Sequence, residues 1–188
     1  MLIKEQEVMV LGETLTHRLV RKLSRKLLTT HVRVLEIQFA EAGAEAVRAL
    51  CEALAQGPGG GRNGSEFGTV KRVGIRKNKI GDVGAGYVGT LIGSCRSLTF
   101  VDISDNNITD KGIKRLLKNA REIGGRPVGG VKTLDLSFNP GIGDAGVSVL
   151  YQALKRSRNR KRQRNIKLHT RTFRFVTRLE SLHLNNCG

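Results

Sequence analysis

The stretch LTFVDISDNNITDKGIKRLLKNA, residues 98–120, decides the fold. Leu98, Val101, Ile103, Asn106 and Ile108 stand at relative positions 1, 4, 6, 9 and 11 of it. The first half alternates apolar and polar residues with period 2, as a strand requires. Gly112, Ile113, Leu116 and Leu117 then follow at the i, i+3, i+4 spacing of a helix packed on one face. Asn106 stands where the chain must leave the strand and turn. The unit therefore reads as strand, Asn-bearing turn and amphipathic helix. It cannot bury its apolar side alone, so it predicts neighbours like itself.

The neighbours are present. Val131, Leu134, Leu136, Asn139, Ile142, Gly146, Val147, Leu150 and Leu154 repeat the pattern, with an extra residue at Pro140-Gly141. Val70, Val73, Ile75, Asn78, Ile80, Gly84, Ala85 and Val88 repeat it again. Val32, Leu35, Ile37, Ala46, Val47, Leu50 and Leu54 form a degenerate copy with Ala40 in the Asn place. Leu179, Leu182 and Leu184 begin a fifth, with Cys187 in that place. Over residues 32–188 the chain resembles leucine-rich repeat proteins of the ribonuclease-inhibitor type, whose pattern is LxxLxLxxN/C followed by a helix. The resemblance implies an α/β solenoid: a short horseshoe with parallel strands on the concave face and helices on the convex face. It implies little about function, because one fold hosts many partners.

Physical reasons attach to each repeat position. Positions 1, 4 and 6 point between strand and helix. The amides of Asn78, Asn106 and Asn139 are expected to satisfy backbone groups of their own turn and of the next coil, where water is scarce. Cys187 fills the same place as a weaker hydrogen-bonding group. Ala40 cannot do so, which suits an atypical terminal repeat.

The chain has 188 residues, 39% of them hydrophobic and 4% aromatic, with a formal charge of +17. Length fits one domain, and the composition fits an aliphatic solenoid. No apolar run approaches the roughly 18 residues of a membrane span. Met1-Leu2-Ile3 is followed at once by Lys4, Glu5 and Glu7, a pattern not expected of a signal peptide. Cys51, Cys95 and Cys187 read as reduced packing residues of an intracellular protein, cytoplasmic or nuclear. The large charge points to an acidic partner, RNA or an anionic surface.

Residues 1–31 are expected to form an N-terminal helical cap. Val8, Leu11, Leu15, Leu19, Leu23 and Leu27 recur at three- and four-residue spacing over residues 4–29, with Arg18, Arg21, Lys22, Arg25 and Lys26 between them. Residues 32–188 form the repeat domain of about five repeats, the last incomplete, with insertions expected at 55–69, 121–130 and 155–178. The absence of a fifth helix suggests a fragment, or a terminus completed by further repeats or a partner chain.

The sequence Gly84-Ala85-Gly86-Tyr87-Val88-Gly89 fits GxGxxG, and Asp102 follows at a dinucleotide-like distance. A dinucleotide fingerprint needs a strand running directly into its first glycine. Here Lys77-Asn78-Lys79 intervenes, and the repeat register already accounts for Gly84 and Val88. No HExxH, GxSxG or paired-carboxylate motif stands in a recognisable setting, so no catalytic residue, metal ligand or cofactor is assigned.

Outward positions on the strands give the candidate partner face: Glu36, Phe39, Arg76, Lys77, Asp102, Asp105, Asp135, Phe138 and His183. Its central row is Glu36, Gly74, Asp102, Asp135 and His183. A second row is Gln38, Arg76, Ser104, Ser137 and Asn185, and a third is Phe39, Lys77, Asp105, Phe138 and Asn186. Phe39 and Phe138 are candidate anchors. Asp102 and Asp135, on adjacent strands about 5 Å apart, read as recognition of a basic partner rather than a shared cation.

Residues 155–178 hold eleven Lys or Arg and no acid. Arg158, Arg160, Lys161, Arg162, Arg164, Arg171 and Arg174 are candidate contacts to nucleic acid or an acidic partner, with Phe173 and Phe175 placed to stack on bases. The sequence thus reads foremost as a non-catalytic protein-binding module using its concave face. The alternative is an RNA-associated or ribonucleoprotein component held by residues 155–178. A GTPase-regulator-like repeat protein comes third.

Overall fold

The computed structural model describes residues 2–4, 6–58, 68–120, 130–160 and 179–188. In chain order the elements are β1 (Leu2–Lys4), β2 (Glu7–Leu11), α1 (His17–Thr29), β3 (Val34–Gln38), α2 (Ala44–Gln56), β4 (Arg72–Arg76), α3 (Gly81–Ser94), β5 (Phe100–Asp102), α4 (Asp110–Asn119), β6 (Thr133–Asp135), α5 (Asp144–Arg160) and β7 (Ser181–His183). The seven strands form one sheet in sequence order. β1 and β2 pair antiparallel; every later pair, from β2–β3 to β6–β7, is parallel. Strand and helix alternate, and each helix packs on the next. This is the leucine-rich repeat α/β solenoid that the spacing predicts.

The core runs between sheet and helices. Leu35, Val73, Val101 and Leu134 lie in register across four strands, each no more than 1% exposed. Ile37, Ile75, Ile103 and Leu136 form a second buried row, each 0% exposed. From the helix side Leu50, Leu54, Val88, Leu91, Ile113 and Leu116 meet these rows. Acidic residues open four helices, Glu45 in α2, Asp82 in α3, Asp110 in α4 and Asp144 in α5, where unpaired N–H groups favour negative charge.

Three sequence expectations change. The helix expected over residues 4–29 is confined to His17–Thr29. Ahead of it, Val8 and Val10 point inward from β2 and pair in register with Leu35 and Ile37. The N-terminal region is thus a strand-and-helix unit continuing the sheet, closed by the short antiparallel β1. The short run EVMVL also alternates with period 2, and the available edge of β3 selects that reading. Second, α5 continues to Arg160, six residues into the insertion expected from Lys155. Third, Val147, expected in the core, is 38% exposed, because no helix packs beyond α5 among the described residues. Most of the expected insertions, at 59–67, 121–129 and 161–178, lie outside the described residues.

Candidate binding face and the ladder beneath it

The Asn positions build a continuous polar ladder. Asn78 Nδ2 donates to Ile37 O at 2.8 Å and Arg76 O at 2.7 Å, while its Oδ1 accepts from Ala40 N at 3.0 Å. Asn106 Oδ1 accepts from Asn78 N at 2.9 Å, and Asn139 Oδ1 accepts from Asn106 N at 2.9 Å and Ile108 N at 3.0 Å. Asn106 Nδ2 donates to Ile75 O and to Ser104 O; Asn139 Nδ2 donates to Leu136 O and Ile103 O. All three asparagines are at most 1% exposed. The last rung is Cys187, whose Sγ donates to Leu136 O at 3.5 Å. At Ala40 the backbone carbonyl takes over, accepting from Leu15 N at 2.8 Å.

A second ladder, unseen in the sequence reading, joins the helix starts. Asp82 Oδ1 accepts from Thr109 N at 2.8 Å, and Asp110 Oδ1 accepts from Gly143 N at 2.9 Å and Gly146 N at 2.8 Å. The signal was the repeated Asp-x-Gly of Asp82–Gly84, Asp110–Gly112 and Asp144–Gly146. These glycines admit the preceding unit: a Cβ at Gly112 would lie 2.5 Å from Asp82 Oδ1, and one at Gly146 would lie 2.4 Å from Asp110 Oδ1.

The same logic disposes of the GxGxxG run. Gly84 to Gly89 lie inside α3, not in a loop after a strand. A Cβ at Gly89 would meet Leu116 O at 2.3 Å, so the glycine lets α3 and α4 approach backbone to backbone. Gly86 lies beside Asn119, whose Nδ2 donates to Gly86 O at 3.0 Å.

Above the ladder the predicted outward rows take their register. Glu36, Gly74, Asp102, Asp135 and His183 are successive cross-strand partners. They do not form one open acidic surface. Glu36 is only 6% exposed, because Gly74 leaves its neighbouring space empty and the Glu36 carboxylate fills it. There Arg72 Nε donates to Glu36 Oε1. Asp102 Oδ1 and Asp135 Oδ1 each accept a backbone N–H two residues on, from Ser104 and Ser137, both at 2.9 Å. Each half-buried Asp thereby closes its own turn through Oδ1. Ser104 and Ser137, expected outward, are 3% and 2% exposed. Arg76 is half-buried, and its Nε has no hydrogen-bond partner. His183 is exposed.

The third row has a backbone signature. Phe39, Lys77, Asp105, Phe138 and Asn186 all have φ between 53° and 59°. A left-handed turn before each rung lets the eighth position of the repeat donate its N–H to the next unit: Lys77 N to Ser104 O at 3.2 Å, Asp105 N to Ser137 O at 2.9 Å, Phe138 N to Asn185 O at 2.7 Å. The same turn throws the side chain onto the rim. Phe39 is 55% exposed and Phe138 44%. Lys77 Nζ lies 4.7 Å from the Phe39 ring centroid and 3.8 Å from Asp105 Oδ2, linking three units along the rim.

Sequence reasoning missed Arg72 and Phe100. They sit at position 3, which period 2 places on the same face as position 5. The Arg72 guanidinium lies 3.7 Å over the Phe100 ring centroid while also holding Glu36. Of the basic candidates, Arg158 and Arg160 fall on the last turns of α5. Lys161, Arg162, Arg164, Arg171 and Arg174 lie outside the described residues. Among the described residues, no cluster of His, Cys, Asp and Glu is arranged to hold a metal ion. No described helix is long and apolar enough to cross a membrane. Cys51 is buried, and desolvation, with smaller contributions from Cys95 and Glu52, pushes its thiol far above the ordinary range.

Comparison with known proteins agrees with this geometry. A family model described as "Leucine Rich repeat" matches residues 94–117 and 131–150, which take in β5 with most of α4 and β6 with the first turns of α5. Over 55 residues the chain is 42% identical to leucine-rich repeat-containing protein 42 of Xenopus tropicalis. That alignment covers 29% of this chain and 13% of the relative, so it speaks for the repeat and not for the whole relative. Sheet order, Asn ladder and these matches together show that the chain folds as a leucine-rich repeat solenoid.

Proposed function

We propose that this solenoid, of the ribonuclease-inhibitor type, is a non-catalytic protein-interaction module that binds its partner along the concave face and its rim. The observation that carries the reading is the exposed placement of Phe39 and Phe138. Both are large apolar side chains at left-handed backbone positions, where a residue with a Cβ is disfavoured by roughly 1–2 kcal/mol. The core gains nothing from either ring. An aromatic anchor on an interface gains much. Asp102 and Asp135, cross-strand partners on the same face, add two carboxylates to it, which suits a basic or hydrogen-bond-donating surface. The repeat family supplies the general precedent for protein interaction, and an intracellular setting is consistent with unbridged thiols.

The test is site-specific photo-crosslinking in cells. A photoreactive phenylalanine analogue is placed at position 138, and, as a control, at Val83 on the exposed side of α3. Position 138 is expected to capture proteins that Val83 does not, and Asp135→Lys is expected to reduce that capture about tenfold. Identical captures from both positions, or capture indifferent to Asp135→Lys, would remove the concave face from the account.

A further inference from the structure

The strand-entry edge of the sheet carries a second, differently charged surface. Backbone hydrogen bonds join Gln6, Arg33, Lys71, Thr99, Lys132 and Glu180 in one row: Arg33 N to Gln6 O, Lys71 N to Arg33 O, Thr99 N to Lys71 O, Lys132 N to Thr99 O and Glu180 N to Lys132 O, at 2.7–2.9 Å. Arg33, Lys71 and Lys132 are exposed. The one acid in the row, Glu180, meets Lys132 at 2.9 Å with both side chains more than half exposed, a pairing that solvent weakens. Arg33 and Lys71 have no ion-pair partner among the described residues. The opposite edge is mixed, with Asp82, Asp110 and Asp144 at the helix starts and Asp105 paired with Lys77.

Immediately inside the row stands Arg72. Glu36 holds its Nε, the Phe100 ring lies under its plane, and its side chain remains 43% exposed. The guanidinium is thus fixed before any ligand arrives, with its two terminal nitrogens available as a fork. Such a fork matches the oxygens of a phosphate. Arg33 and Lys71 stand on adjacent strands about 4.8 Å apart, and with Arg72 they set three cations side by side, which suits a polymer of repeated anions rather than one isolated anion.

We propose that this edge, with Arg33, Lys71 and Arg72 at its centre, binds the phosphodiester backbone of single-stranded RNA. This is independent of protein binding on the concave rim, and it places the contact on the folded sheet rather than in residues 161–178 alone.

The experiment measures fluorescence anisotropy of a labelled mixed-sequence 15-nucleotide RNA with the full chain, across 50–300 mM salt. One variant carries Arg33→Ala, Lys71→Ala and Arg72→Gln. The other removes the same charge from the exposed side of α1, with Arg18→Ala, Arg21→Ala and Arg25→Ala. Circular dichroism melts confirm that both fold. The edge variant is expected to weaken binding at least tenfold and to lower the log–log salt slope by about 2, since each lost phosphate contact on a single strand removes about 0.7. The slope counts contacts, so the loss stays visible even when residues 155–178 also bind. The α1 variant is expected to change the slope by less than 1. Equal losses in the two variants, or none in the edge variant, would overturn the proposal. So would equal competition by a polyglutamate of matched charge, which would make the edge a site for acidic protein.

Discussion

The middle of the solenoid and its last helix carry the same repeat positions in different surroundings. In α4, Ile113 and Leu117 are 0% and 1% exposed; their equivalents in α5, Val147 and Tyr151, are 38% and 57% exposed. In the middle the rung is an asparagine amide with several backbone partners, and at β7 it is a thiol with one long contact. The first rung position, Ala40, closes its unit through the backbone alone. A residue's contribution here is therefore set by whether a unit packs on both sides, and its chemical type comes second. Interior units are locked by two ladders, one of amides under the strands and one of carboxylates at the helix starts.

That contrast can be broken most directly at Asn106. Asn106→Ala removes the amide that serves Ile75 O and Asn78 N inside the solenoid, leaves Ser104 O with its bond from Lys77 N alone, and is expected to destabilise by about 3 kcal/mol. Cys187→Ala, at the equivalent position of the last unit, is expected to lose less than about 1 kcal/mol. Urea denaturation of the two variants gives both numbers. A similar loss in each would mean that the rung is indifferent to its neighbours.

Apolar burial makes the second contrast. Ile113→Ala is expected to cost about 3 kcal/mol through lost transfer energy and an unfilled cavity, while Val147→Ala should stay within about 0.5 kcal/mol. A large loss at Val147 would show that the outer side of α5 is covered in solution. Third, Gly89→Ala pushes a methyl to 2.3 Å from Leu116 O and must separate α3 from α4, a change of about 1–3 kcal/mol. Gly86→Ala meets the end of the Asn119 side chain at 3.2 Å and Arg115 Cβ at an ordinary 3.6 Å, and should be milder. A dinucleotide loop would have no reason to rank the two glycines in that order.

The smallest effect is a pH dependence. Burial raises the Cys51 thiol in the folded chain, while the unfolded chain ionises it in the ordinary range. Its contribution is whole below about pH 8.5 and falls above that by about 1.4 kcal/mol per pH unit. Cys51→Ala should remove that part of the slope. Native alkylation at pH 8 should modify Cys187 and spare Cys51.

Much of this arrangement was legible in the residues. The spacing of Val101, Ile103 and Asn106 set the strand, the rung and the register. That register placed Asp102 beside Asp135 and Phe138 on the rim. The N-terminal unit was illegible because its turn, at Gly12, has no asparagine and its successor carries Ala40. Leucines at three- and four-residue spacing then outweighed the two alternating valines of β2. Glu36 was read as an open contact because a side chain's cover depends on the strand beside it. Gly74 there leaves the space that Glu36 and Arg72 share. Arg72 and Phe100 were missed for a simpler reason, since their position was not counted among the outward rows.

Native-state hydrogen exchange tests the central claim, that interior units are locked by ladders and terminal units are not. The amides of Asn78, Asn106 and Ile108 donate to rung oxygens and are predicted to exchange only through global unfolding. The amides of Gly12 and Leu15, held by backbone carbonyls of the next unit, are predicted to exchange faster through local opening. Exchange at Asn106 and Ile108 as fast as at Leu15, under conditions where the chain stays folded, would contradict the account.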